Sequence, residues 1–361
     1  MLTIRAVPPR DENSLLAAYH GGLRAHWAAS ERALSQGLAR MGRGGWSPAE
    51  RKLLPDAVRR SGLSMRDRKG LHRLLNPAAF PFIANSLKNK QLFATVAAQA
   101  DLPIAPCCDP VAQDLAEWLG RETDIIAKPS FRSKGQGVER YQREGQGWRG
   151  PSGAVGDTEL RARLLDLWRK GGVIQRRLPT HESLAPLSPG ALPTLRVVTC
   201  LDEGGLPEAC DLALRLSAGG PRPVDNFNAG NLVLGIDEQG YCGVAWRSAE
   251  GRPDALERHP ATGAKIMGAA VPDLGEAIAL AVRAHRAFAD FTVIGWDVGL
   301  TCAGPVLVEG NWNPGTDILQ LVSGRGLSDT RLGDLYRHHL AHVPVERWQG
   351  AQVVEWDRRG R

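Results

Sequence analysis

Two short runs near the end of the chain carry the clearest chemistry. Gly295-Trp296-Asp297-Val298 is followed by Val308-Glu309-Gly310-Asn311-Trp312-Asn313-Pro314-Gly315. Glu309 and Asn311 are two residues apart, so on a strand they share a face. A hairpin turn centred on Ala303 would set Asp297 directly across from Glu309. Two carboxylates and an amide, with no His or Cys beside them, suit a hard cation such as Mg²⁺ shared with phosphate oxygens. The alternative is an acidic pair on a surface hairpin. Flanking Val and Ile residues point instead to a half-buried sheet, where unpaired acids are costly.

A second run offers the opposite charge. Ile125-Ile126-Ala127-Lys128-Pro129 ends an apolar strand in a lysine, and Arg132-Ser133-Lys134-Gly135-Gln136-Gly137-Val138 follows. A cation at the end of a semi-buried strand suits a phosphate partner. The backbone N–H groups of a Gly-containing loop can close over phosphates. A hairpin with a solvated glycine tip fits the same residues. Only eight residues are lysines, and Lys88, Lys90, Lys128 and Lys134 are half of them.

The elements that position these groups follow from periodicity. Ser14 to Met41 and Pro48 to Leu75 have apolar residues at helical spacing, with Gly42, Gly44 and Gly45 between them and a helix-start pattern at Ser47-Pro48. The basic residues of Arg51 to Arg73 are expected to form a solvated helix face rather than a polyanion site. Asn85 to Gln99, Leu160 to Arg169, Glu276 to Phe288 and Arg331 to His342 are expected helices. Expected extended segments are Asp124 to Lys128, Val138 to Gln142, Val173 to Leu178, Leu195 to Leu201, Ala209 to Leu216, Asn231 to Ile236, Tyr241 to Trp246, Val293 to Leu300 and Val306 to Asn311. Antiparallel groups with helices between them indicate an α+β fold rather than a doubly wound parallel sheet.

The order and spacing of these features resemble the ATP-grasp superfamily. Lys90, Lys128, the glycine loop, Val173-Ile174-Gln175 and the terminal Asp297, Glu309 and Asn311 carry the resemblance. His181, Leu192 to Thr199, Val224 to Asn228 and Ile294 to Asp297 are similar to its sugar-transfer-associated branch, a relative of the glutamate-ligase-like group. The likeness spans about residues 80 to 330. It implies two α+β lobes clasping ATP, here residues 81–180 and 181–345, after a helical region 1–80 and before a tail 346–361. It also implies that Lys90 and Lys128 bind ATP, that Ser133, Lys134, Gly135 and Gly137 belong to a phosphate-covering loop, and that Gln175, Arg177 and Leu178 form the adenine hinge. Asp297, Glu309 and Asn311 would be Mg²⁺ ligands, and Arg196, Arg215 and Asn228 would line the phosphate and acceptor side.

The implied activity is an ADP-forming ligase joining a small-molecule carboxylate to an amine through an acyl phosphate, in polysaccharide or natural-product biosynthesis. A kinase acting on a hydroxyl would use the same site. A weak nucleotide-binding module tied to polysaccharide assembly is a third reading, disfavoured by the complete acidic set.

Other motifs are weaker. Gly145-Gln146-Gly147-Trp148-Arg149-Gly150 matches a dinucleotide fingerprint but runs into Pro151-Ser152-Gly153, so it is expected to be a turn. No P-loop motif occurs. His338 and His342 lack a third ligand partner, and His181 beside Glu182 suits a buried hydrogen-bonded role as well as a substrate contact. Cys107 and Cys108 follow prolines in an expected loop without a catalytic role. Six cysteines without a C-x-x-C pair argue against structural zinc and for reduced thiols in the cytoplasm. The chain has 361 residues, 43% of them hydrophobic and 23% charged, with net charge +6. These values exclude disordered, collagen-like and disulfide-stapled classes. The Arg-rich excess does not by itself argue for nucleic acid. No apolar run approaches the roughly 20 residues of a membrane span.

Overall fold

The computed structural model describes residues 45–342, apart from 80, 81, 133, 134, 221–224, 226 and 250. The expected helix at Ser14 to Met41 and the tail 346–361 lie outside the described residues.

The stretch Pro48 to Leu75 forms three helices instead of one: α1 (Pro48–Leu53), α2 (Asp56–Arg60) and α3 (Met65–Leu75). Ser47 and Glu50 make a reciprocal capping box that starts α1, and Pro55 begins the next helix. Glu50 is buried, and its other oxygen accepts from the Met65 backbone N–H at 2.6 Å, which ties α1 to α3. The expected solvated basic face holds for Arg51, Lys52, Arg60, Arg66 and Lys69, which are exposed. It fails for Arg68 and Arg73, which are buried. The reason is that α3 is covered on more than one side, with residues 70–75 all buried.

The next helix, α4 (Lys90–Gln99), starts later than expected. Asn85 accepts from the Leu87 and Lys88 backbone N–H groups and holds a turn, and Asn89 then caps the helix.

Two antiparallel sheets follow. The first has six strands in the order β1-β6-β2-β3-β4-β5. These are β1 (Cys107–Cys108), β2 (Asp124–Lys128), β3 (Glu139–Glu144), β4 (Gly147–Gly150), β5 (Gly153–Val155) and β6 (Val173–Arg176). Helices α5 (Leu115–Arg121) and α6 (Asp157–Arg169) cover it, around a core that includes Leu119, Ile125, Tyr141, Trp148, Leu160 and Ile174. Cys107 and Cys108 are thus on a strand paired with β6, not in a loop. Gly147 to Gly150 is also a strand between two turns.

The second sheet has seven strands in the order β11-β10-β9-β8-β7-β12-β13. They are β7 (Thr194–Leu201), β8 (Pro207–Leu216), β9 (Leu232–Ile236), β10 (Cys242–Ala249), β11 (Arg252–Leu256), β12 (Val293–Thr301) and β13 (Gly304–Asn311). Helices α7 (Leu274–Ala287), α8 (Asp317–Ser323) and α9 (Arg331–Ala341) complete this half. Its core includes Leu71 and Leu74 of α3 and Phe93 of α4, whose ring stacks on Phe288 with centroids 5.5 Å apart. The architecture is α+β, and all six cysteines are free thiols. Among the described residues no helix is long and apolar enough to cross a membrane.

Candidate functional site

The centre of the site is a row of side chains across the second sheet. Arg196 on β7 is the cross-strand partner of Asp297 on β12, and Asp297 is the partner of Glu309 on β13. The hairpin reaches that register by an unexpected route. Thr301 pairs with Gly304, so the turn holds only Cys302 and Ala303. A regular ladder from that turn would set Asp297 against Val308. A bulge at Val308 restores the Asp297–Glu309 pair, with Gly295 opposite Asn311.

Asp297 is 4% exposed. Its Oδ1 accepts from Arg196 Nε at 2.6 Å and its Oδ2 from Arg215 Nη1 at 2.9 Å. Burial alone would raise its pKa, but the two guanidinium groups outweigh burial and hold the carboxyl well below the usual carboxylate range. Arg215 also binds Asp225, and Asp225 binds Thr194 Oγ1. Both arginines and both aspartates are therefore buried as one network.

Glu309 is open by comparison, with its side chain 41% exposed. Lys90 Nζ lies 3.5 Å from its Oε2, and Asn311 Nδ2 lies 3.3 Å from its Oε1. The Asn311 amide oxygen has no hydrogen-bond partner among the described residues. These are oxygens a hard cation can take: a solvent-accessible carboxylate and an amide oxygen beside it. Asp297 joins them only by sharing oxygens already held by guanidinium groups. Among the described residues no group of three or more His, Cys, Asp or Glu side chains converges. The donor set that fits a divalent cation is thus Glu309 and Asn311, with Asp297 adjoining.

Lys128 ends β2, and burial followed by the charge of Lys90 pushes its pKa down to about 8. Lys88 is lowered by the same causes. Lys128 on β2, Lys90 on α4 and Lys88 in the turn before α4 thus share one region with Glu309. The segment after β2 is tied to α4 by the Lys90 backbone N–H, which donates to Ser130 Oγ at 3.0 Å. Gly137 has φ +71, and a Cβ there would meet Pro129 at 3.0 Å, so both conformation and space call for glycine. Gly135 also has positive φ. Ser133 and Lys134 lie outside the described residues.

Gln175 on β6 is 9% exposed. Its Nε2 donates to Cys107 Sγ at 3.3 Å, while its Oε1 is buried without a partner. An orphaned buried acceptor suits a ligand N–H donor, such as the exocyclic amine of adenine. Arg177 is turned to Asp124, 3.7 Å away, and its backbone N–H donates to the Asp124 carbonyl. Leu178 is half-buried. Asn228 sits in a short helical turn, Phe227–Ala229.

The remaining candidates have structural partners. His181 Nδ1 accepts from the Ser183 backbone N–H and caps a short helical turn. His342 Nδ1 donates to the His338 carbonyl. The Cys107 and Cys108 thiols are pushed up by burial, against a nucleophilic role. Sequence reasoning missed Arg68 and His72, which reach the loop after Asn311. Asn313 stood within a quoted motif, but nothing local marks its partners.

The chain matches the sugar-transfer associated ATP-grasp family over residues 68–333. No curated protein matches it. Among solved structures, it resembles N5-carboxyaminoimidazole ribonucleotide synthetase in an ADP complex, with 11% identity, 65% of this chain and 47% of that chain covered, and TM-score 0.37. It resembles the D-alanine-D-alanine ligase of Coxiella burnetii at 11% identity, with 74% and 59% covered and TM-score 0.39. It resembles D-alanyl-alanine synthetase A of Vibrio cholerae at 13% identity, with 74% and 67% covered and TM-score 0.43. The chain therefore spans about half to three-fifths of the length of the first two. The family match takes in α3 from Arg68 onward, both sheets and every residue of the Arg196–Asp297–Glu309 row, and this chain belongs to the sugar-transfer associated ATP-grasp family.

Proposed function

We propose that this protein is an ATP-dependent ligase that joins a carboxylate to an amine and releases ADP and phosphate. The observation that carries the reading is that Lys90 lies 3.5 Å from Glu309, Asn311 lies 3.3 Å from Glu309, and Lys128 is within electrostatic range of Lys90 and Glu309. Lysines there neutralise phosphate oxygens, and Glu309 and Asn311 would hold the Mg²⁺ that accompanies ATP. Bound Mg²⁺ supplies charge neutralisation as the γ-phosphoryl group moves. Residues 81–180 and 181–345 act in this reading as the two lobes about the nucleotide.

The chain's own groups then have defined tasks. Gln175 Oε1 accepts from the adenine amine. Lys90 and Lys128 hold the triphosphate. The glycine-containing segment after Pro129 closes over it and excludes water. Arg196 uses only Nε on Asp297, so its terminal N–H groups remain to orient an anionic oxygen of the acceptor. Arg215 and Asn228 are assigned to the acceptor side by the family resemblance. The substrate carboxylate attacks the γ-phosphorus, the bond to the β-phosphate oxygen breaks, and ADP leaves. The amine then attacks the acyl carbon, the C–O bond to phosphate breaks, and the amine proton passes to solvent. The family's description points to sugar transfer, and we place the substrates among the small molecules of polysaccharide or natural-product assembly. The free thiols accord with a reducing, cytoplasmic setting.

The test is interception of the acyl phosphate. The protein is incubated with MgATP, hydroxylamine and pooled sugar acids, amino acids and hydroxy acids. A ligase gives ADP, free phosphate and a hydroxamate. ADP with a stable phosphate ester and no hydroxamate would replace the ligase by a kinase.

A further inference from the structure

Trp312, Asn313 and Pro314 follow Asn311 directly, outside any helix or strand. Their oxygens are gripped from one place, helix α3 and its C-cap Asn76. Arg68 Nη1 donates to the Asn313 carbonyl at 2.8 Å, to Asn313 Oδ1 at 2.6 Å and to the Pro314 carbonyl at 2.7 Å. Asn76 Nδ2 donates to the Trp312 carbonyl at 2.7 Å. His72 Nδ1 lies 3.1 Å from Asn313 Oδ1, and its Nε2 lies 2.5 Å from the Tyr336 hydroxyl. An amide oxygen only accepts, so Nδ1 carries the His72 proton and Nε2 accepts from Tyr336. Burial and the Arg68 charge hold His72 neutral, in keeping with that single proton.

Arg68 is 6% exposed, and among the described residues its hydrogen bonds go to Asn313 and Pro314 and not to a carboxylate. A buried guanidinium hydrogen-bonded only to neutral oxygens, with the Asp317 carboxylate acting on it at longer range, is expensive, and apolar packing would hold a helix there more cheaply. What the arrangement adds is definition of the loop. That loop lies across the end of β12, where a Cβ on Gly295 would come within 2.4 Å of Pro314. Gly295 is the cross-strand partner of Asn311. Pinning Pro314 over Gly295 therefore fixes the strand end that presents Asn311.

We propose that Arg68 is a positioning residue of the metal–nucleotide site, acting on Asn311 through the Trp312–Pro314 loop. This rests on the reading that Glu309 and Asn311 hold a divalent cation with ATP. It also assigns a role to α3, which precedes both sheets in the chain.

The test uses the full chain with Arg68→Met and Arg68→Lys. Mn²⁺ binding is followed by electron paramagnetic resonance in the presence of a non-hydrolysable ATP analogue. Affinity for the analogue alone is measured in EDTA, and folding by thermal melting. Arg68→Met should weaken Mn²⁺ binding about tenfold or more, as loss of a group supporting metal ligands does. Metal-free analogue affinity should stay within about twofold of wild type, because Arg68 touches no residue assigned to the nucleotide. Arg68→Lys should recover part of the metal affinity, since an ammonium brings three N–H donors on a shorter stem. Unchanged Mn²⁺ affinity in folded Arg68→Met overturns the proposal, as does an equal loss of metal-free analogue binding. If Arg68→Met does not fold, Asn313→Ala removes one of the three acceptors, and wild-type Mn²⁺ affinity in it overturns the proposal equally. Wild-type protein that binds no Mn²⁺ with the analogue overturns the cation site itself, a result distinct from both.

Discussion

Asp297 stands directly across from Glu309 because Val308 is bulged out of the β12–β13 ladder. Side chains on facing positions are close, so two carboxylates there repel unless cations compensate. Arg196 and Arg215 compensate Asp297, and Lys90 lies 3.5 Å from Glu309. The two acids therefore differ in kind, one locked in a buried network and the other available to a ligand.

That difference separates two variants. Glu309→Gln should keep its melting temperature, since its one ion pair is long and half-exposed. It should lose ADP production by about a hundredfold, equivalent to about 3 kcal/mol of transition-state stabilisation. Asp297→Asn should lose turnover and also stability, by about 3–5 kcal/mol, because two buried guanidinium groups lose their shared partner. Denaturant titration and ADP release check both. Near-wild-type turnover in Glu309→Gln would remove it from the site.

The lysine at the end of β2 predicts a pH dependence. Lys128 titrates near 8 in the free protein, through burial and Lys90. Bound phosphates favour its charged form and raise that value. Below pH 8 the charge is already present, so affinity is flat. Above pH 8 binding must take up a proton, and affinity should fall by up to about tenfold per pH unit. Calorimetry with a non-hydrolysable ATP analogue at pH 8, in buffers of different ionisation enthalpy, should show proton uptake. Lys128→Ala should abolish that uptake and weaken binding, while Lys265→Ala, at an exposed position, should do neither.

Arg196 and Arg215 should separate by stability. Arg215→Met leaves both Asp225 and one oxygen of Asp297 without a cation, whereas Arg196→Met leaves Asp297 still paired to Arg215. Arg215→Met should therefore be the more destabilised, by a few kcal/mol. Arg196→Ala should lower turnover with modest effect on nucleotide affinity. Thermal melts and calorimetry give the comparison, and a large loss of affinity with normal turnover at saturation would move Arg196 to the nucleotide.

Buried neutral histidines set the acid limb of stability. His285 Nε2 donates to the Phe291 carbonyl, so its Nδ1 accepts from Thr199. Burial pushes its pKa down to about 4 from an ordinary 6.5. Its contribution is complete above pH 6.5, declines as the unfolded chain alone takes up the proton, and is lost below pH 4. The total is about 3 kcal/mol. His72 is shifted in the same direction. Denaturant midpoints should therefore fall between pH 6.5 and 4, with a shallower slope in His285→Gln. A slope unchanged by that substitution would assign the acid limb to other groups.

Local order along the chain was enough to locate most of the elements that carry the site. The apolar run ending in Lys128 forms its strand at the expected residues, and the Val293–Asn311 hairpin brings Asp297 to Glu309. Period-2 and period-3.6 patterns survive because each element buries one stripe or face against a core. Short elements such as β1, β11 and the seven-residue α8 were missed, since so few residues cannot show a period. The bulge at Val308 was also invisible, because an extra residue in one strand is defined only by its partner.

The electrostatic state of the site belongs to the tertiary structure alone. Arg196 and Asp297 are 101 residues apart in sequence, and Arg68 and Asn313 are 245 apart. A run of basic residues reads as a solvated face until the fold covers it, as it covers Arg68 and Arg73. Charge type is written in each residue. Whether that charge is compensated, desolvated or free to meet a ligand depends on what the chain packs around it, and burial there turns an ordinary carboxylate, lysine or histidine into one with a different proton affinity.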